Sequence, residues 1–305
     1  MRSQLRAYLL FCKNFNIKPF PVSRATYMLY LAFLGKSLRS YNSLLNYAGL
    51  LKHINLYLGA DTSFMSDYGC TNLKKGLRRI LGDVRFRKSP ITIDILSHMC
   101  QSFDPRSPLH SCFRALILVA FFSFLRKSNL LPSARADIHS SDPLHLTRKD
   151  IQIFPDSVVL RVHRTKTLQF RQRVLHIPLP LIPNSALCPV HAVQELLHAS
   201  PDVPEHLPLF GFMSRGHFRP ILAHHFSNFI KHSVSQLGLD PSQFSAHSFR
   251  RGGATFAFTS GISPVVIKEQ GDWLSDAYLL YLTFTPQQKV KLLQSMATQL
   301  SGFKA

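Results

Sequence analysis

The chain has 305 residues, 46% of them apolar, with 36 Lys and Arg against 16 Asp and Glu, a formal net charge of +20. That apolar share excludes a disordered chain and suits two domains with separate cores, and the charge points to a polyanion, most simply nucleic acid. The longest apolar run, 115–125, is too short to span a bilayer, and no secretory signal is visible at the N-terminus.

Residues 1–88 read as four helices: Gln4 to Asn14, Ser23 to Leu34, Ser40 to Leu58 and Asn72 to Leu81. The expected breaks are Lys18-Pro19-Phe20-Pro21, Gly35, Gly59-Ala60-Asp61 and Gly82-Asp83. This part holds 15 Lys and Arg against three acids, whereas the other 217 residues hold 21 against 13. The positive charge is therefore concentrated in the smaller domain. Lys74, Lys75, Arg78, Arg79, Arg85, Arg87 and Lys88 form a basic run into a linker, expected to touch a DNA backbone. Such a run also fits a nuclear import signal. The abrupt start fits a chain that lacks part of its first helix or an upstream segment.

Ser89-Pro90 marks the boundary, giving domains of 1–88 and 89–305. Helices are expected over Ile91 to Cys100 and His110 to Leu125, the second apolar nearly all round and so buried. Arg126 follows it directly. An arginine at the end of a buried helix needs an interfacial anion, or else snorkels to solvent. His145 to Arg148, Asp150 to Phe154, Val158 to Arg164 and Gln172 to Pro178 read as strands of a small antiparallel sheet. Thr165-Lys166-Thr167 heads a hairpin, with Arg164 and Arg171 beside it as candidate backbone binders. Cys188 to Ala199 is a helix, 200–222 a loop rich in Pro, Gly and His, and His224 to Leu237 a helix. Five cysteines without a pairing pattern suit a reducing compartment. Cys188-x-x-His191 lacks a matching second pair, so no metal site is expected.

The most informative stretch runs from Ser245 to Phe284. His247 and Arg250, three apart, share one face of a helical turn that Ser245 caps. A helix N-terminus bearing both makes an anion site from backbone dipole and side-chain charge, and Arg251 adds a further cation. Gly252, Gly253 and Ala254 let this helix press close against a neighbour. Gly261 ends it, Ser263-Pro264 starts the next, and Trp273 and Tyr281 follow. Two phosphate-directed cations, an indole and a phenol suggest phosphoryl transfer to a tyrosine. An amphipathic helix over Pro286 to Leu300 closes the chain.

This ordered set resembles the C-terminal motif of the tyrosine recombinase, or phage integrase, superfamily: His-x-x-Arg, then His or Trp, then Tyr. The spelling HSFRRGGAT and GDWLSDAYLLY is most similar to recombinases of Crypton- and DIRS-type eukaryotic mobile elements. The resemblance implies a mainly α fold with a small antiparallel sheet: a helical, SAM-like core-binding domain, then a DNA breaking-rejoining catalytic domain. It implies Arg126, Lys166, His247, Arg250, Trp273 and Tyr281 as the catalytic set. The family usually has an acid three residues after the first arginine, where this chain has Asn129. Tyr278 is the rival nucleophile. The implied chemistry is a 3′-phosphotyrosine linkage on double-stranded DNA without metal, ATP or another cofactor, in a homotetramer on DNA, with a nuclear location if the source is eukaryotic. The competing readings are a decayed element protein that binds DNA without cutting it and a type IB topoisomerase.

Overall fold

The computed structural model describes residues 2–82, 88–165, 168, 173–282, 290 and 293–294. The chain divides into two compact units, 1–87 and 88–305.

The first unit is helical: α1 (Arg2–Asn14), α2 (Arg24–Ser37), α3 (Tyr41–Tyr57) and α4 (Tyr68–Leu81). Capping fixes the starts of two of them. Ser23 accepts the Thr26 N–H ahead of α2 at 3.1 Å, and Asp67 accepts the Cys70 N–H ahead of α4 at 2.7 Å. Arg24 also binds Asp67 at 2.6 Å, joining the two N-termini. The core gathers Tyr8, Phe11, Tyr27, Tyr30, Leu31, Leu44 and Leu51. Gly35 does not break α2, as the sequence suggests, but lies inside it. A Cβ there would collide with the Leu77 side chain of α4, so the glycine serves close helix packing.

The second unit is built around α6 (Pro108–Ser123), a helix buried on almost every face. Ser107 caps its start, with Pro108 in the first turn. It packs against α8 (Pro189–His198), α10 (Ala246–Thr259) and a small sheet. That sheet is antiparallel, in the order β1 (Ile151–Ile153), β2 (Ser157–Val162), β3 (Leu175–Pro180). Its central register pairs Leu160 with Ile177, both fully buried. Residues 145–148 do not form a strand: Thr147 makes one isolated bridge to Pro208, and a 3-10 turn follows over Arg148–Asp150.

Two further strands lie where the sequence suggests only loop. β4 (Gly211–Ser214) and β5 (His217–Pro220) form a hairpin turned by Arg215 and Gly216, both at positive φ. The remaining helices are α5 (Ile93–Gln101), the one-turn α7 (Lys127–Leu130), α9 (Ala223–Gln236) and α11 (Pro264–Gln270). All five cysteines are buried and unbridged. No helix among the described residues is long and apolar enough to cross a membrane. The closing helix expected over 286–300 lies outside the described residues, apart from 290 and 293–294.

Candidate active site

Close approach of α10 to α6 creates the site. A Cβ on Gly252 would run into the Ile91 carbonyl, and one on Gly253 into the Phe121 carbonyl. The expectation from the Gly252-Gly253-Ala254 run therefore holds. Ser245 occupies the N-cap position of α10, where its backbone N–H donates to Ser248 Oγ at 3.0 Å.

Arg250, on this helix, is 1% exposed. Its guanidinium donates to the Phe124 carbonyl and, at 2.9 Å, to the Gly271 carbonyl. It also lies 3.8 Å from the centre of the Trp273 ring. Burial, and then the charge of Arg126, push its pKa down to about 9, while Tyr281 and Asp272 oppose the shift. The group stays charged at neutral pH but lacks the hydration it would have in water.

Arg126 reaches the same place from the opposite side of the chain. α6 ends at Phe124, which takes a left-handed conformation at φ 52°, and the backbone turns so that Arg126 caps α7. Arg126 is half-buried. His247, one turn before Arg250, is exposed to solvent. Crowding around its ring, followed by the charges of Arg250, Arg126 and Lys127, holds its pKa below the ordinary histidine range. The structure thus brings together the cations of Arg126, Lys127 and Arg250 and the imidazole of His247. The part of Lys127 is not evident from sequence; its Nζ donates to Ser227 Oγ at 3.2 Å.

The two tyrosines separate. Tyr278 is 7% exposed and packs with Phe124, Ala254, Ile267 and Trp273. Tyr281 is only half-buried, just beyond the 3-10 turn Asp276–Leu280. Its ring centre is 5.6 Å from that of Trp273, and its nearness works against the lowering of the Arg250 pKa. Thr255 Oγ1 donates to the Tyr281 carbonyl, tying the segment back to α10.

Lys166 lies outside the described residues, as do Arg85 and Arg87. The residues that flank its segment converge on one buried acid that sequence reasoning passes over. Thr165 Oγ1 donates to Asp272 Oδ2 at 2.5 Å, and Arg173 binds Asp272 Oδ1 at 3.3 Å. The only signal for Asp272 is its place between Gly271 and Trp273.

Asn129, where an acid was expected, is 1% exposed, and its amide donates to the Arg164 carbonyl at 2.7 Å and to the Leu144 carbonyl at 3.4 Å. A carboxylate cannot donate, so the amide suits this geometry.

Four expected DNA contacts are engaged elsewhere. Lys74 turns inward, donating to the Met65 carbonyl at 2.5 Å beside the Tyr27 ring, and desolvation lowers its pKa. Arg164 pairs with Asp142 at 2.8 Å. Arg251 donates to the Lys88 carbonyl at 2.8 Å, and Lys88 Nζ to the Ser242 carbonyl at 2.5 Å, which fixes the chain leading into α5. Lys75, Arg78 and Arg79 are exposed on α4. Among the described residues no group of three or more His, Cys, Asp or Glu converges to hold a metal ion.

No family model matches the chain. A curated integrase/recombinase XerD homolog of Selenomonas ruminantium is 26% identical over 206 residues, covering 64% of this chain and 53% of that protein. The chain thus spans about half the length of that relative. Among solved structures, the XerH site-specific recombinase in a post-cleavage complex with palindromic difH substrate is similar, with a TM-score of 0.60 at 13% identity, over 90% of this chain and 72% of the other. The Tn1549 transposon integrase in complex with circular intermediate DNA gives 0.53 at 13% identity, over 90% and 85%. With its mainly helical architecture and small antiparallel sheets, the chain has the fold of the tyrosine recombinases.

Proposed function

We propose that this chain is a site-specific DNA recombinase that cleaves and rejoins DNA through a 3′-phosphotyrosine intermediate on Tyr281. The observation that carries the reading is the convergence of Arg126, His247 and Arg250 beside a half-exposed tyrosine, with Arg250 buried and desolvated. A phosphodiester entering this place supplies the negative charge that these groups lack. Its charge rises as a pentacoordinate centre forms, and donors held in advance stabilise that centre most.

In this reading Arg126 and Arg250 bind the non-bridging oxygens. Tyr281 Oη attacks phosphorus, the bond to the 5′ oxygen breaks, and the tyrosyl–phosphate bond forms. The phenol proton passes to His247, whose lowered pKa leaves the imidazole neutral and able to accept at pH 7. Lys166, as the family resemblance implies, protonates the departing 5′ oxygen. Attack by a second 5′ hydroxyl reverses the sequence, so the bond energy is retained without ATP. Trp273 is the platform on which Arg250 rests.

The partner is double-stranded DNA, and synapsis would use four copies of the chain. The division at residues 87 and 88 fits a basic helical clamp followed by the catalytic unit. The finer kinship with Crypton- and DIRS-type elements, and with it a nuclear site of action, rests on the spelling of residues 247–255 and 271–281.

The test is a nicked suicide duplex bearing the DNA that flanks the coding element, mixed with wild type, Tyr281→Phe and Tyr278→Phe without divalent metal. A covalent protein–DNA band lost only in Tyr281→Phe is expected. Loss only in Tyr278→Phe would move the nucleophile. Tight binding with no band from wild type would instead support a decayed DNA-binding protein.

A further inference from the structure

Residues 271–273 do two jobs at once. The Gly271 carbonyl accepts from Arg250, and the Trp273 ring lies against the same guanidinium. Asp272 lies between them in the chain, and its carboxylate has partners of its own. It is 3% exposed and takes Thr165 on one oxygen and Arg173 on the other. Thr165 and Arg173 are the two ends of the segment that contains Lys166. Thr165 Oγ1 also accepts the Leu168 N–H at 3.0 Å.

Asp272 adopts φ 51°. That left-handed conformation is uncommon outside glycine, and Asp and Asn tolerate it best. A glycine would meet the backbone demand with less strain but would supply no carboxylate. Burying an acid is costly unless it is paired and hydrogen-bonded, as it is here. The position is thus occupied by a residue whose side chain has a task.

We propose that Asp272 is a positioning residue: it staples the base of the Lys166 segment to the strand of chain that holds Arg250, so that leaving-group protonation and phosphate binding share one anchor. This rests on the recombinase reading, with Lys166 as the acid. Asp272 acts through Thr165, the residue before Lys166, and through Arg173.

The test compares cleavage of two nicked duplexes, one with the ordinary 5′ oxygen and one with a bridging 5′ sulfur at the scissile phosphate. A thiolate leaves without needing a proton. Asp272→Asn keeps the size and the tolerance for the left-handed conformation while weakening the acceptor. Positioned acid catalysis contributes about 10²- to 10⁴-fold, so its partial loss in Asp272→Asn should slow cleavage of the ordinary duplex by at least about tenfold. The sulfur duplex should restore the rate to near that of wild type. Thr165→Val should behave alike, and the double variant should be no slower than either single one.

Equal slowing of Asp272→Asn on both duplexes would overturn the proposal, because the residue would then act through Arg250 or the fold. An undiminished rate on the ordinary duplex would overturn it as well. If Asp272→Asn fails a thermal-melting check, Thr165→Val decides by the same criteria. Failure of the recombinase reading looks different, since wild type then forms no Tyr281-dependent adduct on either duplex.

Discussion

The Arg250 guanidinium lies 3.8 Å from the centre of the Trp273 ring, inside a small cluster with Phe124, Ala254, Ile267 and Tyr278. The indole replaces some of the stabilisation that water would give the cation. Trp273→Phe keeps an aromatic face but a weaker one. Cation–π contacts of this buried kind are worth about 2 kcal/mol, Trp being the best partner. The expected outcome is a modest fall in the melting temperature and a larger fall in the rate of covalent-complex formation. Trp273→Ala also leaves a cavity, which costs about 3–5 kcal/mol for a residue of this size, and chemical denaturation should show that loss. Equal melting of wild type and Trp273→Ala would contradict the packing described.

Asn129 gives a second prediction. Its side-chain amide donates to the carbonyls of Arg164 and Leu144, and its backbone carbonyl accepts the Leu146 N–H. It therefore holds the end of β2 beside α7, next to Arg126. Asn129→Asp puts an acceptor against two acceptors in a buried place. Leaving such groups unsatisfied costs about 1–3 kcal/mol each, so the variant should unfold at a lower denaturant concentration. The loss should shrink at acidic pH, where a protonated carboxyl can donate one bond. A variant as stable as wild type at pH 7 would show that these bonds are not formed.

The helical frame is legible in the sequence because its apolar spacing is strong and Ser23 and Ser263-Pro264 start helices as read, whereas Asp67 and Ser107-Pro108 start theirs ahead of the expected Asn72 and His110. The approach of α10 to α6 is legible too, since Gly252 and Gly253 have few other uses in the middle of a helix. The β4–β5 hairpin is not. Its strands have four residues each, and its turn is Arg215-Gly216 rather than the usual Asn-Gly or Asp-Gly. Asp272 is opaque for another reason. Its partner Thr165 lies 107 residues away, and nothing local to either residue announces the pairing. Lys74 shows the converse error: a cation in a basic run reads as a DNA-backbone contact, yet its stem follows the amphipathic helix inward while Lys75, Arg78 and Arg79 stay outside.

His247 makes the pH dependence specific. Its pKa is held below 6.5 by crowding and then by Arg250, Arg126 and Lys127. A group depressed in the folded state favours folding above its unfolded pKa and loses that contribution as pH falls through the folded value. The same neutral imidazole is the form that accepts a proton. The acid limb of kcat/KM reports the free protein and should therefore lie below pH 6.5. NMR titration of the free protein should give the same midpoint. Arg126→Gln removes one of the repelling charges, so the midpoint should move up in both measurements. An unchanged midpoint in Arg126→Gln would mean that the two side chains do not share a site.

The exposed face of α4 makes the last prediction. Lys75, Arg78 and Arg79 are exposed, Arg78 with its guanidinium also 5.9 Å from the centre of the Tyr41 ring, whereas Lys74 turns to the Met65 carbonyl and the Tyr27 ring. Each phosphate contact contributes about 0.9 to the slope of log K against log salt on duplex DNA. Replacing Lys75, Arg78 and Arg79 together by Gln should lower that slope by about 2 to 3 and weaken binding to all duplexes alike, since phosphate contacts carry no sequence information. Lys74→Gln should leave the slope nearly unchanged and lower the melting temperature instead. Fluorescence anisotropy over a salt series measures the first effect, and thermal melting the second. A slope that falls by one unit in Lys74→Gln would place its ammonium on the DNA rather than on the Met65 carbonyl.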